Sequence, residues 1–227
     1  MLGMKNIENG ETYRVRDIWN YDITVIKDDY TEYADGDFEG TSYLMAKDCS
    51  ININSSYSVG DNDFTGQTIN PFIAEVYDDE STFVHIKFYG LSMNDDRLFV
   101  PDGLPKGNLS YMDGGTNTTA SNPGRLGLPV VNYVHFPAGM KQTLHTHPSQ
   151  RIGLILSGKG EIELDNGVMF PIKEGDAWVM ERNVLHNFMC NQGEDVTLFV
   201  FSPDSGTGPT DEINPLKVRT YVGQTRT

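Results

Sequence analysis

His145 and His147 stand two apart in the stretch HTHPSQRIGLILSG, residues 145–158, at the head of an apolar run that ends in glycine. On an extended chain, residues i and i+2 share a face about 6.5 Å apart, so two imidazoles there can aim at one point. Neutral imidazole nitrogen suits Fe, Zn, Ni, Cu or Mn, with bonds of about 2.1 Å. Two ligands rarely hold a catalytic metal, so a third must come from elsewhere. The chain has five histidines to draw on: His85, His135, His145, His147 and His186. Where a carboxylate would complete the pair, the sequence offers Gln150 and Arg151.

The elements that position these residues read as strands throughout. Short apolar or alternating runs recur, among them TSYLMA, PFIAEVY, TFVHIKFYGL, PVVNYVHF, RIGLILSG, EIELD, AWVM and VTLFVF, separated by Gly, Asn, Asp and Pro clusters. That is the signature of an all-β sandwich or barrel, and no segment keeps a helical apolar period. In ELDNGVMF, Asn166-Gly167 predicts a hairpin with a primed turn. Residues 1–100 form an N-terminal β-rich region, in which the acidic run DDYTEYADGD reads as a solvated loop. Residues 101–128, rich in Gly, Pro, Asn, Ser and Thr, read as an irregular connection. Residues 129–203 form a second β region holding most of the histidine, and 204–227 a tail.

Composition narrows the function. The chain has 227 residues, 38% of them hydrophobic, and a formal charge of −15. Such an acidic surface repels phosphate backbones and anionic membranes, which excludes nucleic-acid and membrane partners from the expectation. Two cysteines, Cys49 and Cys190, give no disulfide framework and point to a reducing compartment. With no apolar leader and no run of about 18 apolar residues, the expected location is cytoplasmic. Three Asn-x-Ser/Thr sequons, at Asn54, Asn108 and Asn117, carry no weight in that setting.

Gly139, His145, His147, Arg151 and Gly158 follow one spacing: five residues, His-x-His, three residues, then six before glycine. This resembles the first motif of the cupin superfamily, with arginine at the glutamate position. In GDAWVMERNVLHNFMCN, Gly175 and His186 match the second motif, while Glu181, Asn183 and Cys190 replace its proline, glycine and asparagine. Asn183 is a tolerable stand-in for glycine, because asparagine enters the left-handed region more easily than most residues. The resemblance implies a jelly-roll β-barrel over 129–203, with residues 1–100 either extending it or forming a degenerate second cupin. It also implies that His145, His147 and His186 converge on one divalent metal. Iron(II) is favoured, with zinc, nickel and manganese as alternatives.

Arg151 cannot ligate, since guanidinium stays protonated. Strand alternation points Arg151 inward and Gln150 away. A divalent metal with three neutral ligands carries +2, and a guanidinium about 5 Å away would be repelled by about 6–7 kcal/mol at an effective dielectric of 20. Either Arg151 pairs with a carboxylate of the protein, or an anion sits between it and the metal. The second reading makes Arg151 a catalytic-site residue that orients an anionic substrate.

Other residues rank lower. A lone strand histidine is more often packing than ligand, which leaves His135 and His85 outside the set. Cys190, four residues after His186, is expected on the same face, as packing or beside the site. Asp61 and Asp63 begin like a calcium loop, but Phe72 stands where its glutamate belongs. Trp178, Phe188, Phe199 and Phe201 are expected in the core.

Three classes of function fit. A three-histidine iron(II) oxygenase would leave positions for oxygen and a small anionic substrate, and the missing carboxylate resembles the cysteine dioxygenase branch of the cupins. A non-redox lyase or isomerase would need a base in the pocket. A non-catalytic binding or assembly cupin would need neither. The oxygenase is favoured, in a chain expected to form a homodimer through an exposed jelly-roll edge.

Overall fold

The computed structural model describes residues 3–27, 31–35, 39–47, 50–53, 57–59, 64–66, 72–77, 82–90, 97–99, 107–121, 123 and 127–205. Cys49, Asn54, Asp61, Asp63 and the tail beyond 205 lie outside these residues. No α-helix occurs among the described residues, so none is long and apolar enough to cross a membrane.

Apart from one short 3-10 turn at Met112–Gly114, the elements in chain order are strands: β1 (Met4–Asn6), β2 (Thr12–Arg16), β3 (Asn20–Lys27), β4 (Thr31–Asp35), β5 (Gly40–Lys47), β6 (Ser50–Ile53), β7 (Tyr57–Val59), β8 (Phe64–Gly66), β9 (Phe72–Tyr77) and β10 (Thr82–Tyr89). They continue with β11 (Arg97–Phe99), β12 (Leu109–Ser110), β13 (Thr116–Ser121), β14 (Val130–Phe136), β15 (Arg151–Ser157), β16 (Lys159–Leu164), β17 (Met169–Lys173), β18 (Ala177–Met180), β19 (His186–Cys190) and β20 (Val196–Ser202). The chain divides into two compact units, Asn6–Gly103 and a second formed by Met1–Lys5 with Leu104–Thr227.

In the unit Asn6–Gly103, a six-stranded sheet runs β11-β8-β5-β10-β3-β2 and a four-stranded one β4-β9-β6-β7. Thr31–Asp35, inside the acidic run read as a loop, is β4, paired with β9. Its Tyr and Thr sit in a period-2 pattern that the flanking aspartates mask. On β10, Val84 and Ile86 share a face with Val25, Met45, Ile23 and Tyr43, all buried. His85 points to the other face, where its Nε2 meets Ser42 Oγ at 3.0 Å.

The histidine-bearing unit packs two antiparallel sheets face to face, in the jelly-roll manner. One has seven strands in the order β1-β18-β15-β20-β14-β13-β12, the other three, β17-β16-β19. Their facing side chains form one core: Val134, Ile155, Trp178 and Leu198 from the first, Ile162, Leu164, Ile172 and Phe188 from the second. The strand runs of the sequence place these residues by alternation. Two pieces of this unit are not foreseen. Residues 109–121, inside the supposed irregular connection, supply β12 and β13, whose short polar strands carry no apolar alternation. Met4, from the polar N-terminus, is buried in this core, and β1 pairs at the edge beside β18.

The hairpin at Asn166-Gly167 joins β16 to β17 as expected, but its turn is different. Gly167 N–H donates to Leu164 O and Leu164 N–H to Val168 O, so the loop holds three residues, Asp165 to Gly167. Gly167 alone of the three has positive φ, at 74°. That is a type I turn closed by a glycine bulge, because Glu163 pairs with Met169 and leaves room for one extra residue.

Candidate metal centre

The three histidines meet because two chain segments pair at their backbones. Lys141 and Met189 form an antiparallel bridge, Gln142 N–H donates to Phe188 O at 2.8 Å, and His145 and His186 exchange both N–H···O bonds at 3.0 Å. His145 and His186 are therefore directly opposed, with ring centroids 4.4 Å apart. His147 follows two residues on and brings its ring to 4.7 Å from His145 and 5.2 Å from His186. Asn183, at φ 61°, turns the chain ahead of His186 and donates its N–H to His147 O at 2.6 Å, which ties the two motifs together. Asparagine thus does there what glycine would do.

All three rings are buried. Burial, with Arg151 adding its charge, holds His145 down to about 4 despite its bond to Thr143. Burial and then the His145 charge hold His186 down to about 3, and burial and Arg151 keep His147 well below the usual range. The imidazoles are neutral at neutral pH. His145 Nδ1–H donates to Thr143 O at 2.9 Å and His186 Nδ1–H to Val184 O at 2.8 Å. A carbonyl only accepts, so each ring is fixed with Nε2 as its lone-pair nitrogen.

This donor set fits a metal ion. One candidate nitrogen from each histidine lies within 4.8 Å of the others, and no Asp, Glu or Cys joins the cluster among the described residues. His145 Nε2 lies 3.1 Å from His147 Nε2. Two bonds of about 2.1 Å to one ion hold their nitrogens about 3.0 Å apart at a right angle and about 3.4 Å apart at the tetrahedral angle. The sequence expectation of converging histidines and of an arginine rather than a carboxylate beside them describes what the structure brings together.

The cluster opens on a cavity of about 200 Å³ between the two sheets. On β14, Val130, Asn132, Val134 and Phe136 face it, and His135 faces the other way, its Nε2 bonded to Asp195 Oδ2 at 2.9 Å. Arg151, the first residue of β15, lines the cavity and is buried. Its Nη1 donates to Ser149 O, Ser149 Oγ and Gln150 O at 3.1, 2.6 and 2.9 Å. Gln150 is outside the cavity wall, with Nε2 3.4 Å from Glu181 Oε2. Trp178, Phe188 and Leu198 give apolar walls. Cys190 packs against the core, and burial, reinforced by Asp195, pushes its thiol up to about 11.

Sequence reasoning missed Tyr111, Asn117, Asn132 and Gln142, which also line the cavity. Only Asn132 had a readable signal, since it alternates with Val134 and Phe136. Tyr111 and Asn117 come from the segment taken as connection. Burial pushes the Tyr111 phenol up to about 12 against an opposing pull from Arg151.

Residues 132–202 match the family model for the cupin domain. The chain carries a cupin domain. No curated protein sequence matches it. Solved structures share its fold. The cupin 2 conserved barrel domain protein from Leptotrichia buccalis has 16% identity and a TM-score of 0.56, over 87% of this chain and 91% of that one. A salicylate 1,2-dioxygenase variant from Pseudoaminobacter salicylatoxidans in complex with gentisate has 12% identity and a TM-score of 0.58, over 86% and 73%. AerE from Microcystis aeruginosa has 15% identity and a TM-score of 0.59, over 85% and 90%. At these identities the likeness concerns the fold, and the cupin domain's chemistry must be argued from its own residues.

Proposed function

We propose that the cupin domain binds one divalent metal through His145, His147 and His186 and, with iron(II), acts as an oxygenase on a small anionic substrate. The observation that carries this reading is the ligand set: three neutral imidazoles, no carboxylate among the described residues of the cluster, and a guanidinium in the same cavity wall. Iron(II) on three histidines would supply open positions for oxygen and for a chelating substrate. The protein's own residues do the rest. The carbonyls of Thr143 and Val184 hold two imidazoles in the ligating tautomer. Arg151 is the anion-orienting residue: it lines one cavity with all three histidines and Tyr111, and its charge bears on each of them. Trp178, Phe188 and Leu198 exclude water from the substrate's apolar body.

The lyase or isomerase reading needs a base, and Tyr111 is a poor one. With its phenol pushed up to about 12, it is protonated at neutral pH and serves as a donor. The gentisate held by the P. salicylatoxidans enzyme, a hydroxylated aromatic carboxylate, is the first probe. For the unit Asn6–Gly103 we propose a degenerate second cupin, because a solved cupin barrel protein aligns over 87% of the chain rather than over residues 132–202 alone. One metal per chain, not two, is then expected.

The test uses protein loaded anaerobically with iron(II), an oxygen electrode and a panel of small carboxylates starting with gentisate. Substrate-dependent oxygen uptake, lost in His147→Ala, supports the oxygenase. Arg151→Gln should keep its metal and lose affinity for the carboxylate; equal affinity in that variant sinks the role given to Arg151.

A further inference from the structure

Asp113 is, with Asn183, one of two non-glycine residues at positive φ among the described residues, at 56°. It sits in a tight turn between β12 and β13, followed by Gly114 at φ 91°. Tyr111 N–H donates to Gly115 O at 2.8 Å and Gly115 N–H to Met112 O at 2.9 Å. A Cβ on Gly115 would stand 3.0 Å from the Phe136 ring, so the turn is pressed against the cavity-lining strand β14. Two successive left-handed residues swing the Asp113 carboxylate outward, and its Oδ2 accepts Thr143 N–H at 2.7 Å.

Thr143 is the residue whose carbonyl fixes His145. Gln142, the residue before it, bonds towards β19, so alternation sends the Thr143 N–H to the opposite side, away from β19. Thr143 is exposed, and water would satisfy its amide without help from the protein. The left-handed Asp113 is therefore not needed to rescue a buried donor. What the bond adds is position. It fixes the one residue of the 142–144 link whose carbonyl holds His145 Nδ1–H.

We propose that Asp113 is a positioning residue for the histidine centre, acting through the Thr143 backbone to aim His145 Nε2 at its two partners. His186 needs no such prop, because its carbonyl partner Val184 lies in the turn that Asn183 folds. The same turn presents Tyr111 to the cavity, so Asp113 ties the substrate wall to a ligand. The inference rests on reading the three histidines as metal ligands.

The test compares Asp113→Gly, which keeps the positive-φ backbone and deletes the acceptor, with Asp113→Asn, which keeps both. Co(II) affinity by chelator competition, the visible Co(II) bands and the metal-free melting temperature are read for each. Asp113→Gly should bind Co(II) about tenfold more weakly, the low end of the loss expected for an outer partner of a ligand, with shifted bands. Asp113→Asn should restore both. Wild-type affinity and bands in Asp113→Gly overturn the proposal while leaving the histidine site standing. No Co(II) binding by the wild type brings down the histidine reading and this one with it. Should Asp113→Gly fail to fold, amide exchange in the wild type decides. A Thr143 amide protected relative to that of Leu144 supports the tie, and exchange at the Leu144 rate overturns it.

Discussion

Gly153 faces Trp178 directly across β15 and β18. The indole lies over the glycine so closely that a Cβ there would sit 2.1 Å from Cζ2, 2.2 Å from Cε2 and 2.7 Å from Nε1. Trp178 is 1% exposed, packs at a tilt against Phe188 with centroids 5.8 Å apart, and forms part of the cavity wall. Gly153→Ala must push the indole back by about 1.3 Å to reach ordinary contact, either into Phe188 or into the cavity, and such overpacking costs about 1–3 kcal/mol. For a chain of this length that lowers the melting temperature by roughly 2–12 °C. Circular dichroism melting of metal-free protein reads the loss. The double variant Gly153→Ala/Trp178→Phe supplies the control, since a smaller ring relieves the contact, and a coupling of about 0.5–3 kcal/mol between the two sites is expected. A single variant that melts with the wild type, or two penalties that simply add, would refute the idea that the missing Cβ makes the cavity wall.

Gly158 and Gly167 both have positive φ, at 82° and 74°. A Cβ on Gly158 would lie 2.0 Å from Asp195 O, whereas Gly167 has nothing within 4 Å. Gly167→Ala should cost only the left-handed penalty of about 1–2 kcal/mol, and Gly158→Ala distinctly more in the same melting assay; equal losses contradict the clash. The centre histidines carry a pH signature. His145 and His186 fall to about 4 and about 3 on folding, so the unfolded chain binds protons first as pH drops below about 6.5. Metal-free stability is therefore full above that value and declines as pH falls toward 4, more steeply in the wild type than in His186→Asn. Parallel pH profiles for the two proteins count against the buried neutral pair.

Much of the centre was legible because its residues obey short periods. His145 and His147 two apart, His186 after a left-handed Asn183, and Arg151 in the inward register of a strand all follow from alternation. What was hidden came from residues whose role depends on distant pairing. Leu109–Ser110 and Thr116–Ser121 are polar and short, and they become strands only because β14 offers an edge. Tyr111 and Asn117 are carried to the cavity with them, and Asp113 to the Thr143 amide. Met4 enters the core through a three-residue strand whose partner lies over 170 residues away, which local pattern cannot show. The acidic run misled for a related reason, since charge says where a face points and not whether the chain is extended.

Elemental analysis of protein purified without added metal, beside His147→Ala and His186→Ala, tests the central claim most directly. One equivalent of a transition metal in the wild type, iron by this account, lost in both variants while their melting shows them folded, is the expected result. An equal metal content in all three, or none in the wild type even after reconstitution with iron(II), would contradict a three-histidine centre.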